Sequence, residues 1–136
     1  CDFARSNWGK TKTLLEVIEQ SKTKAYLIDD IPIAPDDKFA VFEMNGEKIV
    51  VNTQGDPNFY QEEGLKRAVN ENADIIVCAS RIKGTTEKCI YTIAENGYEI
   101  IWFSNFFADN DSLPCVGIFP EITAEAIVKL IQKLIQ

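Results

Sequence analysis

Ala4-Arg5-Ser6-Asn7-Trp8-Gly9-Lys10-Thr11 stands at the head of an apolar-periodic run, residues 11–21, in which Leu14, Leu15 and Ile18, with Val17 beside them, repeat at helical spacing. A glycine, a lysine and a hydroxyl at the mouth of a helix suit one kind of chemistry. The backbone N–H groups of such a loop can converge on anionic oxygens, the lysine meets their charge, and the hydroxyl can hold Mg²⁺. Ala or Gly, four free positions, then Gly-Lys and Ser or Thr, arises by chance in roughly 1% of chains this long at average residue usage. Cys1, Asp2 and Phe3 stand ahead of it.

Outward from this loop, strand and helix signals alternate. Residues 25–28 are a short apolar run ending at Asp29 and Asp30, and the turn formers Pro32, Pro35, Asp36 and Asp37 follow, so a strand and then an exposed loop are predicted. Residues 38–44 and 47–53 are β-rich and flank Asn45-Gly46, the dipeptide best suited to a two-residue hairpin turn. Gly55-Asp56-Pro57 ends the second of these strands. Residues 59–71 then read as a helix with Leu65, Ala68 and Val69 inward. Ile75, Ile76, Val77 and Cys78 form a run without alternation, as expected of a central strand covered on both faces. Residues 85–96 suit a helix closed by Gly97, and residues 99–104, with Ile100, Ile101, Trp102 and Phe103, suit a further buried strand. After Pro120, Ile122, Ala126, Ile127, Leu130, Ile131 and Leu134 predict a last helix with an apolar face. The order implies an α/β fold: a three-layer α/β/α sandwich around a mostly parallel sheet with one antiparallel hairpin strand. A chain of 136 residues, 46% hydrophobic, fits a single domain over residues 1–136, with a first strand that is either truncated at the N-terminus or shorter than usual.

Charge and composition narrow the function. A formal net charge of −7 argues against a nucleic-acid groove or an anionic membrane surface, both of which need clustered Lys and Arg. No apolar run reaches the roughly 18 residues of a membrane span. Cys1, Cys78, Cys89 and Cys115 are scattered, without a CxxC pair, which favours reduced thiols in the cytoplasm over a zinc site or a disulfide framework. The sequence contains no His, so any chemistry falls to carboxylates, Lys, Arg, hydroxyls, amides and a bound metal.

On residues 4–11 the chain resembles the P-loop NTPase superfamily, and on residues 38–104 its element order is similar to the core of small GTPases. The resemblance implies that Ala4, Arg5, Ser6, Asn7, Trp8, Gly9, Lys10 and Thr11 cradle the phosphates of a nucleoside triphosphate and that Thr11 binds Mg²⁺. It also implies that Asn52-Thr53-Gln54-Gly55 stands where the family has DxxG, with Gly55 facing the last phosphate. Asn52 lacks the charge of the family's Asp, so Asp56 or one of Asp29 and Asp30 is expected to assist the metal, with Asp29 preferred as a carboxylate ending a parallel strand. The guanine-reading NKxD is missing from Asn105-Phe106-Phe107-Ala108, which favours ATP over strict GTP use and leaves Phe106 as a surface for the base. Arg81 and Lys83 follow a central strand, where an Arg can stabilise a transferring phosphoryl group. Gln54 and Gln61 are candidates to orient the attacking water. Lys10, Arg81 and Gln54 thus form the expected catalytic set, with Lys10 pictured as an exposed loop side chain. The function this implies is binding and hydrolysis of a nucleoside triphosphate. A small-molecule or nucleotide kinase, and a non-catalytic nucleotide-responsive module, are the alternatives, and a protein partner or a homodimer is compatible with each.

Overall fold

Asn45 and Gly46 both take positive φ, 52° and 81°, the pair of left-handed residues that a tight hairpin turn requires. They join β3 (Asp37–Met44) to β4 (Glu47–Asn52), with Met44 opposite Glu47 and Phe39 opposite Asn52. A computed structural model describes residues 2–3, 9–34, 36–54, 59–80, 85–106, 108–109 and 112–136. Around the hairpin it places β1 (Asp2–Phe3), α1 (Lys10–Ser21), β2 (Tyr26–Ala34), α2 (Phe59–Asn70), β5 (Ile75–Ser80), α3 (Thr85–Ala94), a short 3-10 turn (Pro114–Ile118) and α4 (Phe119–Leu134). The five strands lie in the order β1-β5-β4-β3-β2.

Side chains alternate across this sheet. Ala40, Phe42 and Met44 of β3, Ile49 and Val51 of β4, and Val77 and Ala79 of β5 meet Leu14, Val17 and Ile18 of α1 and Ala124, Ile127, Val128 and Ile131 of α4. On the opposite face Phe39, Val41 and Val50 pack with Ala68, and Cys78 packs with Leu65 and Ile90. Each large side chain fully withdrawn from water contributes about 1.5–3 kcal/mol, so the three clusters together fix α1 and α4 on one face and α2 and α3 on the other.

The expected mostly parallel three-layer sandwich is corrected by the strand pairings. β1 with β5 and β4 with β5 are parallel, whereas β2 with β3 and β3 with β4 are antiparallel, so the sheet is mixed in equal parts. Two local readings account for the difference. The acids at 29 and 30 do not end β2, which continues through Pro32 to Ala34 as an antiparallel edge strand. An edge has one side open to water, so exposed Asp29 and Pro32 are tolerated there. Residues 99–104, expected as a buried strand, form no ladder beyond an isolated bridge at Phe103. The apolar face of α4 is also turned from the expected one: Thr123, Ala124, Ile127, Val128 and Ile131 are buried, while Ile122, Leu130 and Leu134 are exposed. Among the described residues no helix is long and apolar enough to cross a membrane.

Candidate functional site

The pairings bring the carboxyl ends of β1, β5, β4 and β2 to one edge of the sheet. α1 begins at that edge beside β1. Its N-cap, Gly9, has φ 74° and ψ 26°, a left-handed conformation that a side chain would strain. The first helical bond runs from the Thr13 N–H to the Gly9 carbonyl at 2.9 Å, which leaves the amides of the first turn without an intrahelical acceptor. Lys10 follows in that turn. It is 6% exposed, not the exposed loop side chain expected, and its Nζ donates to the Ser80 carbonyl at the end of β5 over 3.1 Å. An ammonium is withdrawn from water only where oxygen acceptors receive it, so the end of β5 holds Lys10 in place.

Polar side chains are unusually well buried around this edge. Asn52, Thr53, Gln54, Gln61, Ser80 and Asn105 are each at most 7% exposed. Gln61 projects from the first turn of α2 and donates its Nε2 to the Ala79 carbonyl at 3.2 Å, one residue from the acceptor of Lys10. Thr53 ties β4 to β3: its hydroxyl donates to Asp37 Oδ1 at 2.8 Å and accepts from the Lys38 N–H at 2.9 Å. Asn52 Oδ1 accepts the Gln54 N–H at 3.3 Å, and no partner for its Nδ2 is found among the described residues. Its carboxamide lies under Gly64 of α2, where a Cβ would come within 2.4 Å of Nδ2. Asn105 and Pro120 approach Gly9: a Cβ there would stand 4.0 Å from Asn105 Nδ2 and 3.9 Å from Pro120 Cγ. Beside Asn105, the Phe106 ring is 60% exposed and leans on Phe119, with centroids 5.9 Å apart at 48°.

Comparison with protein families, with curated proteins and with solved structures returns no match.

Of the residues expected from the sequence, Gly9, Lys10 and Thr11 start α1 at the carboxyl edge, Gln54 is buried just beyond β4, and Phe106 lies near Gly9 through its neighbour Asn105. Asp29 is not brought to them. It sits in mid-β2 opposite Val41, and β3, β4 and β5 stand between β2 and β1, four strand spacings or roughly 19 Å away. Ala4, Arg5, Ser6, Asn7, Trp8, Gly55, Asp56, Arg81 and Lys83 lie outside the described residues. The resemblance implies Mg²⁺, for which Thr11 offers a hydroxyl in the first turn of α1, while of the carboxylates expected to assist it Asp29 is remote and Asp56 lies outside the described residues.

Ser80, Asn105 and Phe119 were not singled out as site residues from the sequence. Ser80 enters through its backbone carbonyl, which carries no signal in residue type. The burial of Gln61 was legible: it precedes Leu65 by four residues and Ala68 by seven, on the apolar stripe of α2. Cys78 is buried, and burial pushes the Cys89 thiol up, which keeps it protonated.

Proposed function

We propose that this chain binds a nucleoside triphosphate with Mg²⁺ and hydrolyses it, in the cytoplasm, with the phosphates seated on residues 4–11. The observation that carries the reading is Lys10, almost fully buried in the first turn of α1 behind a left-handed glycine and fastened to the carboxyl end of β5. A positive charge held there, next to first-turn amides, meets phosphate oxygens without first having to order itself. Thr11 is the residue to hold Mg²⁺, which when bound neutralises charge on the outer phosphates. Gln61 and Gln54 carry carboxamides at the same edge that can orient a water, and Arg81 follows β5 to complete the expected set. Phe106 and Phe119 offer the base an apolar ledge.

Asn52 favours a second reading, a nucleotide-responsive module that turns over slowly or not at all. A neutral, fully buried carboxamide stands where the resemblance expects an acid. Turnover separates the two. The binding test is titration calorimetry of ATP and GTP with Mg²⁺ against the parent chain, Lys10→Arg and Lys10→Ala. Loss of a charge-assisted contact predicts at least about tenfold weaker binding for Lys10→Ala. Equal affinity in parent and Lys10→Ala, with both folded by circular dichroism, would refute the reading.

A further inference from the structure

A groove of about 480 Å³ opens beside the amino half of β5, walled by Ile90 and Ile93 of α3 on one side and by Ile131 and Leu134 of α4 on the other. It lies away from the corner at Lys10, which is fastened to the last residue of β5. Backbone and charge restrict what can enter. Among the described residues Ile75, Ile76 and Val77, which line the groove, have a strand partner on the β4 side alone, because β1 pairs with β5 only at Ala79 and Ser80. Successive main-chain groups of a strand point to opposite neighbours, so part of this stretch offers its N–H and C=O to the groove. An aliphatic chain would bury those groups unpaired, whereas a peptide backbone pairs them. An extended backbone also sends alternate side chains to α3 and to α4, and both meet apolar surface.

The charged side chains that line the groove are all acids: Glu47, Asp74 and Glu99. They gather at the amino end of β5. Asp74 directly precedes Ile75, Glu47 shares a hydrogen bond with Asp74, and Glu99 follows Tyr98, whose hydroxyl donates to the Ala73 carbonyl at 2.6 Å. The hydrogen bond and charge of Asp74 raise the pKa of Glu47, so this end holds a proton more firmly than a lone glutamate does, and the same field favours an ammonium. At the other end β1 closes the ladder. The open stretch, residues 74–77, is roughly 13 Å long at the rise of a strand. We propose that the groove binds a short, extended apolar peptide of about four residues, parallel to β5, with its free amino end at Glu47, Asp74 and Glu99. The charge fixes the direction, since only a parallel peptide brings its ammonium to the acids. The exposed Ile101, Leu130 and Leu134 line the same groove and are covered when it is filled.

The test titrates Val-Ile-Val-Ile carboxamide into the protein by calorimetry, beside its N-acetylated form, a form N-methylated at its internal amides, and Ser-Gly-Ser-Asn carboxamide. The free-amine peptide is expected to saturate and to slow hydrogen exchange within residues 75–77 at least about tenfold. Acetylation should weaken binding roughly fivefold, the worth of an ion pair at an exposed rim. Methylation, which removes the ladder donors, should weaken it at least about fivefold, and the polar peptide should not bind. In the variant carrying Glu47→Gln, Asp74→Asn and Glu99→Gln, the free and acetylated peptides should bind alike. Failure of the free-amine peptide to saturate, or equal affinity of its acetylated form for the parent protein, overturns the proposal. Undiminished binding of the methylated form also overturns it, by assigning the groove to apolar ligands that lack a peptide backbone.

Discussion

Gly64 lies inside α2, where glycine costs up to about 1 kcal/mol relative to alanine, so Gly64→Ala would stabilise an isolated helix. In this protein the opposite is expected. The new methyl would meet Asn52 at 2.4 Å from Nδ2, 3.0 Å from Cγ and 3.2 Å from Oδ1. Asn52 has no room to yield, being 0% exposed and fastened to the Gln54 amide. Overpacking of this kind costs about 1–3 kcal/mol. Set against the helix gain, a net loss of about 1–2 kcal/mol remains, which corresponds to a Tm lowered by roughly 3–8 °C for a domain of this size. Urea unfolding followed by circular dichroism measures it. The double variant Gly64→Ala with Asn52→Ala removes the carboxamide as well and should recover about 1–3 kcal/mol relative to the sum of the single changes. A Gly64→Ala protein as stable as the parent, or strict additivity in the double variant, would show that α2 does not rest on Asn52.

Three further outcomes are expected. Thr53→Val keeps the shape but strands the Lys38 N–H and one acceptor of Asp37, which should cost about 1–3 kcal/mol in urea unfolding. Gln61→Leu removes the donor to the Ala79 carbonyl and should lower stability by about 0.5–2 kcal/mol, read as a shift in the urea midpoint at unchanged slope. The side-chain hydrogen bond and charge of Asp74 raise the pKa of Glu47. A carboxyl raised in the folded state stabilises below the ordinary glutamate pKa of about 4.3 and loses that contribution as pH rises through the folded value. Glu47→Gln should therefore have the higher Tm at pH 7, with the difference shrinking as pH falls to 4; a difference that grows on acidification would contradict the pairing.

Local chemistry made some elements legible. Asn45-Gly46 announced its hairpin because the dipeptide alone meets the backbone demand of the turn, and the periodicity at Leu14, Val17 and Ile18 announced α1. Elements decided by their neighbours were not legible. Asp29 and Asp30 look like a strand end until β2 is known to be an edge, where one side is open to water. The apolar run Ile100-Ile101-Trp102-Phe103 reads as a strand, yet a strand needs a partner, and the ladder it would join is not formed. The site divides in the same way. The motif at Gly9, Lys10 and Thr11 marks the correct helix start, but the burial of Lys10 depends on a carbonyl seventy residues away. Asp29 was misplaced because a carboxylate's distance from a loop depends on strand order, which periodicity does not encode.

The strand order also bears on how the chain reaches this state. β2, β3 and β4 are joined by short turns and form a meander from one continuous stretch, whereas β1 must find β5 across more than half of the chain. Closing a long loop costs entropy before its contacts return anything, so local pairings come first and distant ones late. Assembly from the meander outward would leave the Gly9 and Lys10 corner among the last parts to form. Pulse-labelled hydrogen exchange during refolding would see it as slow protection of Ala79 and Ser80 after Val41 and Val50 are already closed.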